Sequence, residues 1–274
     1  MPGANVRAME KARELACDAI IFDLEDAVAP DAKETARVQV EAAIRAGGYG
    51  YRELIVRVNG LDTPWARADL AAVAQLEIDA VLLPKIESTA QVRACIELLA
   101  ATPALPLWVM IETPRGVLSI EPILADEPRV AVAVMGTSDL VKELRARHTD
   151  DRRAVLPSLA HCVLAARACN RVVLDGVHLD FRDAESFSRA CVQGRDLGFD
   201  GKTLIHPSQI DIANNVFGPS PDEVVQARQI VETWEVAQRA GKGVAVVNGR
   251  LVENLHASEA ARTLAFAAAL AERA

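Results

Sequence analysis

Seven short runs of Val, Ile, Leu and Ala recur along the chain, at residues 17–26, 52–59, 79–85, 107–113, 129–136, 171–177 and 201–206. Each is close to continuously apolar, which is the pattern of strands buried on both faces of a parallel sheet. The stretches between them, among them 33–46, 88–100, 152–169 and 183–197, space their apolar residues three and four apart and read as amphipathic helices. Strand and helix alternating over this length predict a parallel α/β architecture, with a closed TIM-type (β/α)8 barrel as the leading candidate. Seven strands are one short of that barrel. Pro2-Gly3 is a turn dipeptide followed by a helical stretch over 6–15, so a first strand ending just before it is expected to be missing from the chain.

After His206 the pattern changes. Pro219 and Pro221 punctuate a linker, and 222–239 reads as a helix. The segments VAVV and RLVE flank Asn248-Gly249, the dipeptide of a type I′ hairpin turn. A last, Ala-rich helix is expected over 255–272. The chain therefore divides into a barrel over 1–218 and a helix–hairpin–helix lid or oligomerisation segment over 219–274, which is too small to fold without packing on something.

Composition narrows the class. A chain of 274 residues that is 51% hydrophobic and 25% charged is not disordered. Its formal net charge of −8 argues against a nucleic-acid partner, which needs a dominant basic face. The five cysteines (Cys17, Cys95, Cys162, Cys169, Cys191) are dispersed and form no C-x-x-C pair, as suits reduced thiols. No apolar leader segment opens the chain, and no apolar run nears the ~20 residues of a membrane helix. A cytoplasmic protein without a membrane partner is the expectation.

In barrels of this type the functional groups stand where strands end. Those positions hold Asp23, Glu25, Asp26, Arg57, Asn59, Lys85, Glu112, Asp139, Asp175, His178 and His206. Acids dominate, and carboxylates converging at one mouth call for a cation; hard oxygen ligands favour Mg²⁺ or Mn²⁺. Glu25, Asp26 and Asp139 also suit helix caps. Glu112 is harder to place as structural, because it ends an apolar strand where an unpaired carboxylate is costly. Arg57 is similarly costly unless it meets an anion, and a guanidinium suits a carboxylate. A lone His206 is compatible with a structural role. No phosphate-loop, dinucleotide, nucleophile-elbow or H-E-x-x-H motif is present; GFDGKT lacks the first glycine of a phosphate loop.

The segments PGANVRAMEKA, IIFDLEDAVAPDAKETAR, RVNGLDTPW, LLPKIES, MIETPRGV, MGTSDL and GFDGKTLIHPSQI, in this order, resemble the CoA-ester lyase family of citrate lyase β subunits, malyl-CoA and citramalyl-CoA lyases and malyl-CoA thioesterase. The resemblance runs over nearly the whole chain. It implies a TIM barrel with a C-terminal lid, a homotrimer or dimer of trimers, bound Mg²⁺ and a CoA thioester substrate. It implies that Glu112 and Asp139 ligate the metal and that Glu25 and Asp26 hold metal-bound water. Arg57 is implied to grip the carboxylate of a 2-keto acid, aided by backbone amides near Gly136 and Thr137. Arg7, Lys11 and His206 lie where the family approaches CoA. VVNGRLVENLH resembles the lid motif whose acid, an Asp in the family and Glu253 here, reaches a neighbouring subunit's site as the acid–base group. The implied reaction is reversible aldol- or Claisen-type cleavage of a 3-hydroxyacyl-CoA, such as malyl-CoA or citramalyl-CoA, into a short acyl-CoA and a 2-keto acid. A malyl-CoA thioesterase, a citrate lyase β subunit and a non-catalytic CoA- or metabolite-binding protein stand as alternatives.

Overall fold

The computed structural model describes residues 1–273. Two compact units emerge, Met1–Ile212 and a second beginning at Ala213. The division falls inside the helix Ile210–Phe217, a few residues before the 218/219 boundary expected from the linker prolines.

The first unit is built on a seven-stranded parallel sheet, β1 (Ala19–Asp23), β2 (Glu53–Arg57), β3 (Ala80–Leu83), β4 (Leu107–Ile111), β5 (Val130–Met135), β6 (Val172–Asp175) and β7 (Gly201–Lys202), whose spatial order is the order in sequence. That succession, with helices in the connections, is the TIM-like α/β arrangement. Along the chain the helices are α1 (Val6–Lys11), α2 (Lys33–Ala46), α3 (Ala66–Val73), α4 (Thr89–Leu98), α5 (Pro114–Leu118), α6 (Ile120–Ala125), α7 (Thr137–Glu143), α8 (Leu156–Ala168), α9 (Ala184–Leu197) and α10 (Ile210–Phe217). Ser88 and Asp183 cap α4 and α9 by accepting from Gln91 N and Ser186 N, so these two helices start where the sequence signals do. The helix expected from 152 starts later, at Leu156. Arg152 instead adopts φ +52° and turns its side chain inward.

The free edge of β1 is lined by the chain's first residues. Asp23 N donates to Met1 O (2.8 Å), Gly3 N donates to Asp23 O (2.8 Å), and Pro2 bridges Asp23 in the parallel sense. Residues 1–3 thus lie where a strand preceding β1 would end. At the other edge β7 is only two residues long, although the apolar run continues to 206. The Gln209 side chain accepts from the backbone N–H groups of Ile205 and His206 and so takes over the bonds a longer strand would have made.

Side chains alternate across the sheet. Ile55, Ala80, Leu82, Trp108, Met110, Val132 and Val134 form one inner cluster. The residues between them, such as Val56, Val81, Val109 and Ala133, are buried on the opposite face. Both faces being covered explains the continuously apolar strands. Near the ends of β6 and β7 a buried ionic network replaces apolar packing. Arg152 Nη1 donates to both carboxylate oxygens of Asp175 (2.8 and 2.7 Å), and Lys202 Nζ donates to Asp175 Oδ2 (2.7 Å).

The second unit contains α11 (Pro221–Arg239), the hairpin β8 (Ala245–Val247) and β9 (Arg250–Val252), and α12 (Asn254–Ala271). Asn248 and Gly249 both have positive φ, +50° and +76°, as a type I′ turn requires. Trp234, Ala237, Ala245, Val247, Val252 and Ala257 form its core. Among the described residues no helix is long and apolar enough to cross a membrane, and all five cysteines are free.

Asp175 is fully buried and Lys202 nearly so. Replacing Asp175 by Leu leaves two cations without their shared anion, and a loss of about 3–5 kcal/mol in unfolding free energy is expected from denaturant titration.

Candidate metal and carboxylate site

The alternation that builds the inner face also selects what stands at its rim. Counting in twos from Ile21, Ile55, Met110 and Val134 reaches Asp23, Arg57, Glu112 and Gly136. Asp23 and Arg57 are register partners in the β1–β2 ladder. Arg57 Nε and Nη2 donate to Asp23 Oδ1 and Oδ2 at 2.6 and 2.5 Å, a two-pronged pair that fixes the plane of the guanidinium. The anion that Arg57 needs is therefore in part internal. Only Nη1 faces elsewhere, 2.9 Å from Glu25 Oε2 and 3.7 Å from Asp26 Oδ2. The contact with Glu25 is an ion pair without an aligned hydrogen bond, which leaves that oxygen without a donor.

The loop after β1 is tied down from several sides. Asp23 accepts from Glu25 N and Ala27 N, and Leu24 N donates to Arg57 O. Lys33 Nζ donates to Leu24 O and Glu25 O at 2.9 and 2.8 Å. Lys33 shares a buried stripe of α2 with Ala36, Val40 and Ile44. A lysine on an otherwise apolar helical stripe was the sequence signal for this clamp. Neither Glu25 nor Asp26 caps a helix, since Ala32 occupies that position for α2.

Glu112 is 2% exposed and accepts at Oε1 from Lys85 N (2.8 Å). Gly136 lies directly against it: a methyl group there would come 2.3 Å from Glu112 Cβ and 2.6 Å from Oε2. The amide of Gly136 is spent on Ile111 O (3.0 Å), so the amides near 136–137 that open towards the mouth start at Thr137, in the first turn of α7. Asp139 also lies in that turn, where an acid suits the helix dipole, and it makes no cap. Asp26, Glu112 and Asp139 each bring one carboxylate oxygen to within 4.8 Å of the other two. Asp26, expected one step removed from a cation, thus stands alongside the two acids expected to touch it.

Lys85 faces this cluster. Its ammonium pairs with Glu25 and lies 3.5 Å from Asp26 and 3.8 Å from Asp139. In the sequence, Lys85 and Asp23 stand at strand ends with nothing to assign a role to either. Burial tends to raise the Asp23 pKa, but hydrogen bonds and charge from Arg57 hold it below the usual carboxylate range. Burial raises Glu25 against the pull of Arg57 and Lys85. Burial, then the charge of Glu25, pushes Glu112 up to about 7. The same acids raise the pKa values of Arg57 and Lys85, so both stay charged.

Three carboxylates from three loops, with an oxygen apiece inside 4.8 Å, fit a hard divalent cation, which takes one or two carboxylates and keeps waters. Beside Thr137 opens a cavity of about 240 Å³, bordered by Ser138, Arg147, Arg152, Val177 and His178. His178 Nε2 is buried there without a hydrogen-bond partner. A larger groove, about 460 Å³, runs over α8 and α9 between Leu156, Arg189 and Leu197, and no strand-end residue borders it.

Within the first unit, the remaining expected residues are not drawn into this cluster. Asn59 is bonded to buried Asp69 through its backbone and side-chain nitrogens. Arg7 and Lys11 are exposed on α1. His206 is exposed, stacks on Phe181 at 4.7 Å, and its Nδ1 accepts from Ser208 N, which is a capping role. Glu253 is exposed at the start of α12, with its backbone N–H donated to His256 Nδ1.

A sequence profile described as HpcH/HpaI aldolase/citrate lyase matches residues 1–207. A (3S)-malyl-CoA thioesterase of Cereibacter sphaeroides strain KD131 is 52% identical over 271 residues, covering 99% of this chain and 94% of that protein. The citrate lyase subunit β of Escherichia coli K12 is 34% identical over 264 residues, covering 92% and 86%. The structure of Mycobacterium tuberculosis CitE in complex with magnesium, acetoacetate and coenzyme A superposes with a TM-score of 0.79 at 31% identity, covering 98% of this chain and 96% of that one.

Two outcomes follow from this geometry. Gly136→Ala is expected to displace the Glu112 carboxylate and weaken Mg²⁺ binding by about 10–100-fold in calorimetry, with the protein still folded. Because Glu112 must lose its proton to bind a cation, Mg²⁺ affinity is expected to fall by up to about tenfold per pH unit below about 7 and to level off above it.

Proposed function

The chain belongs to the HpcH/HpaI aldolase/citrate lyase family, and from that premise we propose that it is a divalent-cation-dependent enzyme hydrolysing a (3S)-malyl-CoA-type thioester. The observation that carries this reading is the meeting of Asp26, Glu112 and Asp139 beside a pinned guanidinium. The choice of hydrolysis rests on the 52% identity to a malyl-CoA thioesterase across 99% of the chain.

In this reading Glu112 and Asp139, with Asp26 beside them, would hold Mg²⁺, and Glu25 would help orient water next to it. The bound cation would supply Lewis acidity to a substrate oxygen. Arg57, its plane set by Asp23, offers Nη1 to the free carboxylate of the malyl group. The first-turn amides of α7, from Thr137 on, face the same carboxylate. Arg7, Lys11 and His206 serve the CoA moiety. Glu253, contributed by a neighbouring copy in a homotrimer or dimer of trimers, takes the proton of the attacking water. Water adds to the thioester carbonyl, the C–S bond breaks, and the leaving thiolate receives the proton, giving malate and free CoA thiol. General acid–base help of this kind contributes about 10²–10⁴-fold.

A second reading is C–C cleavage, favoured by the citrate lyase β relative at 34% identity. There the 3-hydroxyl gives up its proton, the C–C bond breaks, and the electron pair moves into a thioester enolate that is then protonated.

Incubating the purified protein with (3S)-malyl-CoA and Mg²⁺ separates the two. Hydrolysis releases free thiol and malate without keto acid, whereas a trapped keto acid without free thiol overturns the hydrolase reading. Chelation of the metal is expected to abolish turnover. Glu253→Gln is expected to lower turnover by about 10²–10⁴-fold while leaving Mg²⁺ binding unchanged; wild-type turnover would remove Glu253 from the mechanism.

A further inference from the structure

We propose that Lys85 is a built-in competitor for the divalent cation, whose ammonium occupies the same carboxylates and sets how tightly the ion is held. This rests on the cation reading above and adds a residue to it.

Lys85 follows β3 and Pro84 and adopts φ +52°, in the left-handed region that a long side chain rarely enters. Such conformations persist where the surroundings impose them, and they gather at functional sites. Two groups profit from it here. The amide of Lys85 donates to Glu112 Oε1, and the side chain is aimed over the acids.

The charge of Lys85 lies over the acids. The ammonium is paired with Glu25 and stands 3.5 and 3.8 Å from Asp26 and Asp139, two of the three carboxylates whose oxygens converge. A divalent ion shared by those oxygens would sit within about 5 Å of the ammonium, where like charges repel on the order of tenfold in an equilibrium constant even in water.

The two cations differ in how they are held. Arg57 is 14% exposed and locked to Asp23 by two bonds, so it stays. Lys85 is 42% exposed, on a flexible four-carbon stem. Entry of the ion drives the ammonium off Asp26 and Asp139 towards solvent or towards an anionic ligand. An anion that draws Lys85 away then tightens the ion, and by linkage the ion tightens the anion by the same factor. Lys85 is a positioning residue in this scheme.

Mg²⁺ titration calorimetry on the full chain, at a pH above the Glu112 titration, tests it. Lys85→Met and Lys85→Gly remove the ammonium, and the glycine variant also relieves the backbone and so protects against misfolding. Both are expected to bind Mg²⁺ about tenfold more tightly than wild type, while Lys85→Arg keeps wild-type affinity. Equal or weaker binding in the methionine and glycine variants overturns the competition. Absence of Mg²⁺ binding in the wild type overturns instead the cation reading on which it rests.

Discussion

Repulsion among Asp23, Glu25, Asp26, Glu112 and Asp139 is the constraint around which the carboxyl ends of the strands are organised. Five acids within one rim are costly, and the cost rises with burial because the charges are less screened. The protein meets it with two cations of different character. Arg57 is bound to Asp23 in a fixed plane, so one acid is neutralised permanently and holds the arginine in return. Lys85 is a part-exposed ammonium facing Glu25, Asp26 and Asp139. What remains is a net negative rim with one unusually basic carboxylate, Glu112, whose proton is held up to about pH 7.

Everything near the rim serves to keep these groups close without clashing. Gly136 has no side chain because Glu112 fills the space a methyl group would need. Gly176 is similarly confined, with a methyl group there meeting Thr137 Oγ1 at 2.4 Å. Behind it, Asp175 joins Arg152 and Lys202, so the ends of β6 and β7 are drawn together by charge and not by apolar packing. A closely fitted rim on a rigid parallel sheet is the kind of support that keeps ligand oxygens in place.

Hydrolysis and C–C cleavage make the same first demands on such a site: a gripped carboxylate and a polarised oxygen. They diverge in what reaches the thioester carbon. Relatives named for both kinds of reaction share the family with this chain, at 52% and 34% identity.

Much of this was legible in the amino-acid sequence. Continuous apolar runs marked the parallel strands, Asn248-Gly249 marked the hairpin, and the ends of those runs put Asp23, Arg57 and Glu112 at strand ends. These signals are local, and the backbone obeys them wherever the chain lies. Which strand-end groups meet is not local. That Arg57 finds its anion in Asp23, 34 residues away, depends on the parallel register of β1 and β2. That Lys85 takes a left-handed turn, that Lys33 clamps the loop after β1, and that Asp26 joins Glu112 and Asp139 depended on side chains from separate loops competing for one small space. The sequence by itself determined the strands, the hairpin and the kinds of group at the rim; only the tertiary structure decided their partners, because charge pairing acts through distance in space and leaves no period along the chain.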